Sequence, residues 1–191
     1  LISIKRRRFY YKSLSVPANK ILDNSVVFFL PFQPEGNTDP EAGEYADVFK
    51  SIAEIKHSFP SKKLYIKEHP ASFSYMHYKE VSGSFKFRTK LFYKKLHQSN
   101  IDLVDISSML NEFPANTTVA TVNGSVFLQA RHFGFNGFKT GRSWYDFDME
   151  CSSIESAADQ EKLNHKILHL LQFSFGSEKE ILDLISKKFS L

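Results

Sequence analysis

A short apolar run, Leu64-Tyr65-Ile66, ends abruptly in Lys67-Glu68-His69-Pro70. Three ionisable side chains and a proline at the end of a strand make a place where an anion can sit. His69 can donate to a phosphate oxygen, and when protonated it does so as a cation. Pro70 fixes the backbone beyond it and disfavours an α conformation at His69. On a strand Lys67 and Glu68 point to opposite sides, so Lys67 is the one expected to share a pocket with His69. A solvated loop with a capping or core histidine is the plainer reading of the same residues.

Two further stretches have chemistry at their ends. Pro31-Phe32-Gln33-Pro34-Glu35-Gly36 sets Gln33 and Glu35 in a loop stiffened by Pro31 and Pro34. Such a loop holds a carboxylate in place, and Glu35 could act as a base or orient a hydroxyl. A rigid loop with a surface glutamate is the alternative. Thr121-Val122-Asn123-Gly124-Ser125 reads as a strand, a turn at Asn123-Gly124 and a helix start. Backbone N–H groups at a helix start bind anions and the Ser125 hydroxyl adds a donor; an ordinary capped turn would look the same. Convergence of His69 and Ser125 on one phosphate is a sharper expectation than either alone.

Other clusters are weaker. His165 and His169 share a helix face, but no third ligand accompanies them, so solvent-facing histidines and no metal site are expected. Asp146-Phe147-Asp148 resembles the metal-binding acidic pair of some sugar transferases, a pair that belongs to a different fold. Walker, G-x-G-x-x-G, G-x-S-x-G and paired CxxC signatures are missing from the sequence.

The elements that would position these groups alternate. Strands are expected at 25–31, 64–67, 101–104, 117–122 and 135–139, the first and fourth being continuous β-rich runs. Helices are expected at 44–57, where Tyr45, Val48, Phe49 and Ile52 keep helical spacing, at 88–98, briefly at 107–112 with Ser107 as cap, and at 125–132. Two more are expected in the tail, 160–189, broken near Gly176. Alternation of this kind implies a Rossmann-like α/β fold, a parallel sheet flanked by helices with ligands at the carboxyl ends of its strands. Residues 1–24 read as a basic lead-in or interdomain linker, and 25–191 as one nucleotide-sugar-binding domain.

With 191 residues, 42% of them hydrophobic, the chain can bury a sizeable core. Cys151 is the one cysteine, which excludes an internal disulfide and fits a reducing compartment. Net charge is +4, with basic clusters at Lys5-Arg6-Arg7-Arg8 and at Lys86, Arg88, Lys90, Lys94 and Lys95. Such clusters suit phosphates or an anionic membrane surface as readily as plain solvation. No nucleic-acid-binding signature accompanies the charge, so nucleic acid is not an expected partner. The first residue is Leu1 rather than Met, and the chain is expected to be a piece of a longer protein.

Taken in order, "VVFFLPFQPEGNTDPEAGEYAD", "LYIKEHPASF", "FRTKLFYKKL" and "TVNGSVFLQARHFGFNGFKTGRSWY" resemble the capsule polysaccharide biosynthesis and export family, which includes the Kdo transferases of bacterial capsules. The resemblance spans about residues 25 to 146, with Gln33-Pro34-Glu35 and Lys67-Glu68-His69-Pro70 its most specific parts. It implies a GT-B fold of which this chain is the C-terminal, donor-binding half, the N-terminal domain lying elsewhere. It further implies a CMP-activated keto sugar such as CMP-Kdo as donor, a glycan or glycolipid acceptor, and no cofactor besides the donor. By the same resemblance His69 and Ser125 contact the donor phosphate, Gly124 allows its close approach and Arg88 is a further anion partner; Lys67, Pro70, Asn123 and Gln129 complete the expected phosphate- and nucleotide-binding set. Glu35 is the catalytic or acceptor-positioning candidate. The expected location is the bacterial cytoplasm, peripheral to the inner membrane or its assembly complexes. Departures are Gln129 in place of the family's helix glutamate, Asn123-Gly124-Ser125 in place of T-G-T, and Gly134-Phe135-Asn136-Gly137 in place of G-K-P-V. Alternatives are another donor, CDP-glycerol or a UDP-sugar, or a non-catalytic nucleotide-binding or scaffold module.

Overall fold

The computed structural model describes residues 2–32, 42–73 and 88–143. The chain divides into two compact units, Leu1–Met149 and Glu150–Leu191, and every described residue lies in the first. Gln33, Pro34, Glu35, the Asp146-Phe147-Asp148 triplet, Cys151, the His165/His169 pair and the two tail helices lie outside the described residues.

In chain order the elements are α1 (Ile2–Leu14), β1 (Ser15–Val16), β2 (Val26–Phe29), α2 (Val48–Ser58), β3 (Leu64–Lys67), α3 (Lys90–Gln98), β4 (Asp102–Val104), β5 (Thr118–Thr121), α4 (Val126–His132) and β6 (Asn136–Lys139). The strands form one sheet in the order β1-β4-β3-β2-β5-β6, all parallel. This is the α/β, Rossmann-like sheet that the alternation of elements predicts. Apart from the short edge strand β1, the order runs β4-β3-β2 in one direction and β5-β6 in the other, so it reverses beside β2.

Alternation along the strands sorts the core into two layers. Val26, Phe28, Leu64, Ile66, Leu103 and Ala120 face one side, where Tyr11 of α1, Ile52 and Ile55 of α2, and Phe92, Tyr93 and Leu96 of α3 cover them. Val27, Tyr65, Val104 and Val119 face the other, under Ala130 of α4 and Phe113. The central strands are hydrophobic on both faces because helices or loops cover both.

Helix ends are set by local chemistry. Asp47 and Thr89 accept the backbone N–H of Phe49 and Phe92, capping α2 and α3. The short helix expected at 107–112 begins later, as a single turn at Leu110–Glu112, because Asp105 takes the N–H and hydroxyl of Ser107 into a side-chain turn. Gly134, with φ +82°, ends α4 with Phe135 N–H bonded to the Ala130 carbonyl.

Within the segment 1–24, read from sequence as a basic lead-in or interdomain linker, residues 2–16 form α1 and β1 of this unit. β1 pairs with β4, and the Tyr11 side chain is fully enclosed. The Tyr11 hydroxyl donates to the Val104 carbonyl at 2.6 Å and accepts from the Glu68 N–H at 3.0 Å. It therefore supplies partners to two backbone groups where β3 and β4 part, groups that would otherwise be buried and unpaired.

Candidate functional site

Strand register decides where the chemistry converges. Phe29 of β2 lies level with Lys67 of β3 on one side and with Thr121 of β5 on the other. The three stretches singled out by sequence therefore leave adjacent strands at one height, with β2 in the middle. Two strand spacings, about 10 Å, separate the backbones of Lys67 and Thr121. The reversal of strand order falls between β2 and β5, the place where open α/β sheets hold ligands.

The β3 exit is organised by Glu68, which the sequence reading passed over. Its carboxylate is buried on the side away from Lys67 and accepts at both oxygens. Oε1 takes the His69 N–H at 2.9 Å and the Ser72 hydroxyl at 3.1 Å. Oε2 takes the Tyr93 hydroxyl at 2.8 Å and Arg88 Nε at 3.1 Å. Burial, and then the neighbouring Glu68 charge, raises the Tyr93 phenol well above its ordinary value, so it stays a donor.

This arrangement fixes the turn that carries His69. The turn closes through Ser72 N–H to the His69 carbonyl. The imidazole is half-buried, its ring 5.5 Å from that of Phe32 on the β2 exit. Nδ1 accepts the Ala71 N–H at 3.1 Å, so the neutral ring carries its proton on Nε2. Pro70, next along, is exposed.

Lys67 and Arg88 are committed within the fold. Lys67 is 5% exposed, its ammonium donating to the Ile106 carbonyl at 2.9 Å and lying over the Phe29 ring. Burial lowers its pKa, opposed by the charges of Asp105, Glu68 and Glu112. Arg88 pairs with Glu68, reaches the Pro31 carbonyl at 3.4 Å and lies over the Phe92 ring. It ties the β2 and β3 exits to the start of α3.

At the β5 exit Asn123 is buried, whereas Ser125 and Gln129 are exposed, four residues apart on one side of α4. The Gly124 N–H donates to Thr121 Oγ1 at 3.3 Å, and a Cβ at Gly124 would stand 3.0 Å from that oxygen. Ser125 makes no side-chain cap bond, although it precedes the first residue of α4. With seven residues, α4 has too few aligned peptides for a strong terminal dipole. An anion at this exit would therefore depend on side chains more than on the helix terminus. Compared with protein-family models, curated proteins and solved structures, the chain matches none of them.

The β6 exit adds groups that sequence reasoning missed. Lys139 lies level with Thr121 and donates to the Ser143 hydroxyl at 2.9 Å. The segment then returns beside the β5 exit, with Gly141 N–H bonded to the Val122 carbonyl at 2.8 Å. Arg142, next in sequence, is exposed. The run Thr140-Gly141-Arg142-Ser143 was a visible signal, but its adjacency to Asn123 is decided by strand pairing. Among the described residues no group of three or more His, Cys, Asp or Glu could hold a metal ion. A depression of 490 Å³ lies at the opposite, amino end of β3, lined by Lys56, Phe59, Lys62 and Lys63, far from the exits.

Proposed function

We propose that this chain carries the donor-binding half of a glycosyltransferase using a CMP-activated keto sugar, in the synthesis of bacterial surface polysaccharide. The observation that carries the reading is the common height of the β2, β3 and β5 exits beside the reversal of strand order. In this reading the donor phosphate lies between the His69 turn and Ser125. His69 Nε2–H and the Ser125 hydroxyl donate to its oxygens, and Asn123 and Gly124 shape the floor. Gln129 faces the ribose, and Phe32, its ring tilted against that of His69, holds the imidazole in place.

During transfer the bond from the anomeric carbon to the phosphate oxygen breaks and an acceptor hydroxyl bonds to that carbon. The hydroxyl proton leaves to a base, for which Glu35 is the candidate. CMP departs with the extra negative charge, and fixed donors around it stabilise that charge without reorganising. Lys67 and Arg88 contribute indirectly, by holding the exits.

A second reading has its own support. With Lys67 and Arg88 both engaged inside the fold, less cationic charge remains for a departing nucleotide. That favours a nucleotide-binding module that does not itself transfer sugar, and a CDP-glycerol or UDP-sugar donor stays open beside CMP.

Calorimetric titration with CMP, CDP and UMP tests these readings. CMP is expected to bind, with CDP and UMP weaker, and His69→Ala is expected to weaken CMP by about 1.5–3 kcal/mol, as for a charged hydrogen bond. Absence of nucleotide binding, or binding untouched by His69→Ala, would remove the site. Binding without glycosyl transfer, once the partner domain is supplied, would favour the module.

A further inference from the structure

The outer surface of α1 and α3 carries a charge pattern that the sheet does not use. Neither helix, ISIKRRRFYYKSL nor KLFYKKLHQ, contains an acidic residue. Tyr11 is buried and Arg7, Tyr10 and Leu14 partly so, which turns Lys5, Arg8, Phe9 and Lys12 to solvent at 3.6 residues per turn. In α3 the core takes Phe92, Tyr93 and Leu96, leaving Lys90, Leu91, Lys94 and Lys95 outside. The helices lie side by side: Lys90 Nζ is 5.5 Å from the centre of the Tyr10 ring, and Arg7 Nη1 reaches the Arg88 carbonyl at 3.5 Å. Two large apolar side chains stand among these cations, Phe9 at 76% exposure and Leu91 at 59%.

We propose that this face docks on an anionic lipid surface. Clustered lysines and arginines are drawn to acidic headgroups, and an aromatic and an aliphatic side chain between them can enter the boundary with the acyl chains. A nucleic acid would satisfy the cations equally well, but it offers no apolar layer for Leu91, so the lipid surface fits both features. Docking would leave the strand exits open, because α1 and α3 cover a broad side of the sheet and the exits line its carboxyl edge. The inference rests on this surface alone and stands or falls separately from the donor site.

Vesicle flotation of the 191-residue chain is the test. Phosphatidylcholine vesicles containing phosphatidylglycerol are expected to carry the protein upward, and pure phosphatidylcholine vesicles to leave it behind. The triple variant Lys5→Glu/Arg8→Glu/Lys94→Glu is expected to partition at least roughly tenfold less, and added salt to act in the same direction. Phe9→Ser/Leu91→Ser is expected to weaken partitioning without any change of charge. All five positions are exposed, so the variants should keep the wild-type circular dichroism and melting temperature. No flotation with the anionic vesicles would overturn the proposal. So would binding that depends on charge but ignores Phe9 and Leu91, or a duplex RNA that binds more tightly than the vesicles and is equally indifferent to those two side chains.

Discussion

Glu68 and Arg88 form an enclosed ion pair, Nε to Oε2 at 3.1 Å, with 0% and 7% of their side chains exposed. Tyr93 shares the same carboxylate oxygen, while the other oxygen holds the His69 N–H and the Ser72 hydroxyl. One buried charge thus joins α3, the β2 exit and the turn carrying His69. Its value lies in the shape it imposes, because a buried pair contributes little net stability compared with a well-packed apolar replacement.

Removing one partner should be costly. Arg88→Met is expected to lose about 3–5 kcal/mol of stability, because Glu68 would be left as an uncompensated buried charge. Adding Glu68→Gln to that variant should recover a substantial part of the loss. Urea unfolding of the two singles and the double measures this. Three curves superimposed on the wild type would mean that the pair is solvated in solution.

Tyr11→Phe keeps the ring packing against Phe73 and Tyr93 and deletes only the hydroxyl. The Val104 carbonyl and the Glu68 N–H would then lose their partner in the core, at an expected cost of about 1–3 kcal/mol. Thermal or urea unfolding reads that cost. A shift within error would show that the hydroxyl is not needed where β3 and β4 separate.

Gly137 sits under α4. A Cβ there would stand 2.8 Å from the Phe127 ring and 3.1 Å from Arg131 Cδ, so Gly137→Ala must displace the Phe127 ring or the helix that carries it. Overpacking of this kind is expected to destabilise by about 1–3 kcal/mol. The companion variant Gly137→Ala/Phe127→Leu should relieve part of the loss, and a single variant as stable as the wild type would contradict the close approach.

Asp105 gives a pH signature. Its carboxylate accepts the Ser107 hydroxyl at 2.7 Å and the Ser107 N–H at 2.9 Å, and these bonds hold its pKa below the ordinary 3.8. A carboxyl lowered on folding contributes stability above its unfolded value, and loses it as pH falls through the folded one. Ser107→Ala should therefore melt below the wild type at neutral pH, with the gap closing as pH drops below 3.8. A gap that is constant across the acid range would assign the effect to packing rather than ionisation.

Much of the fold can be read along the chain. Val26 to Phe29 and Thr118 to Thr121 are covered on both faces, and that burial selects the unbroken β-rich runs visible in the sequence. α1 was harder to read, because an acid-free basic segment looks like a linker until Tyr11 is known to meet Glu68, 57 positions away.

The candidate site divides along the same line. His69, Asn123, Gly124 and Ser125 stand at strand exits because local apolar runs end there, a property of nearby residues that the sequence by itself determined. Which charges remain for a ligand was decided only by tertiary structure. Lys67 is committed to a carbonyl 39 residues away, and Arg88 to Glu68 and to the Pro31 carbonyl 57 residues away. Strand alternation assigns a side chain to a face of the sheet. Whether its charge is then spent inside the protein depends on partners that only folding brings within reach, and burying an unpaired charge costs too much for those partners to be left to chance.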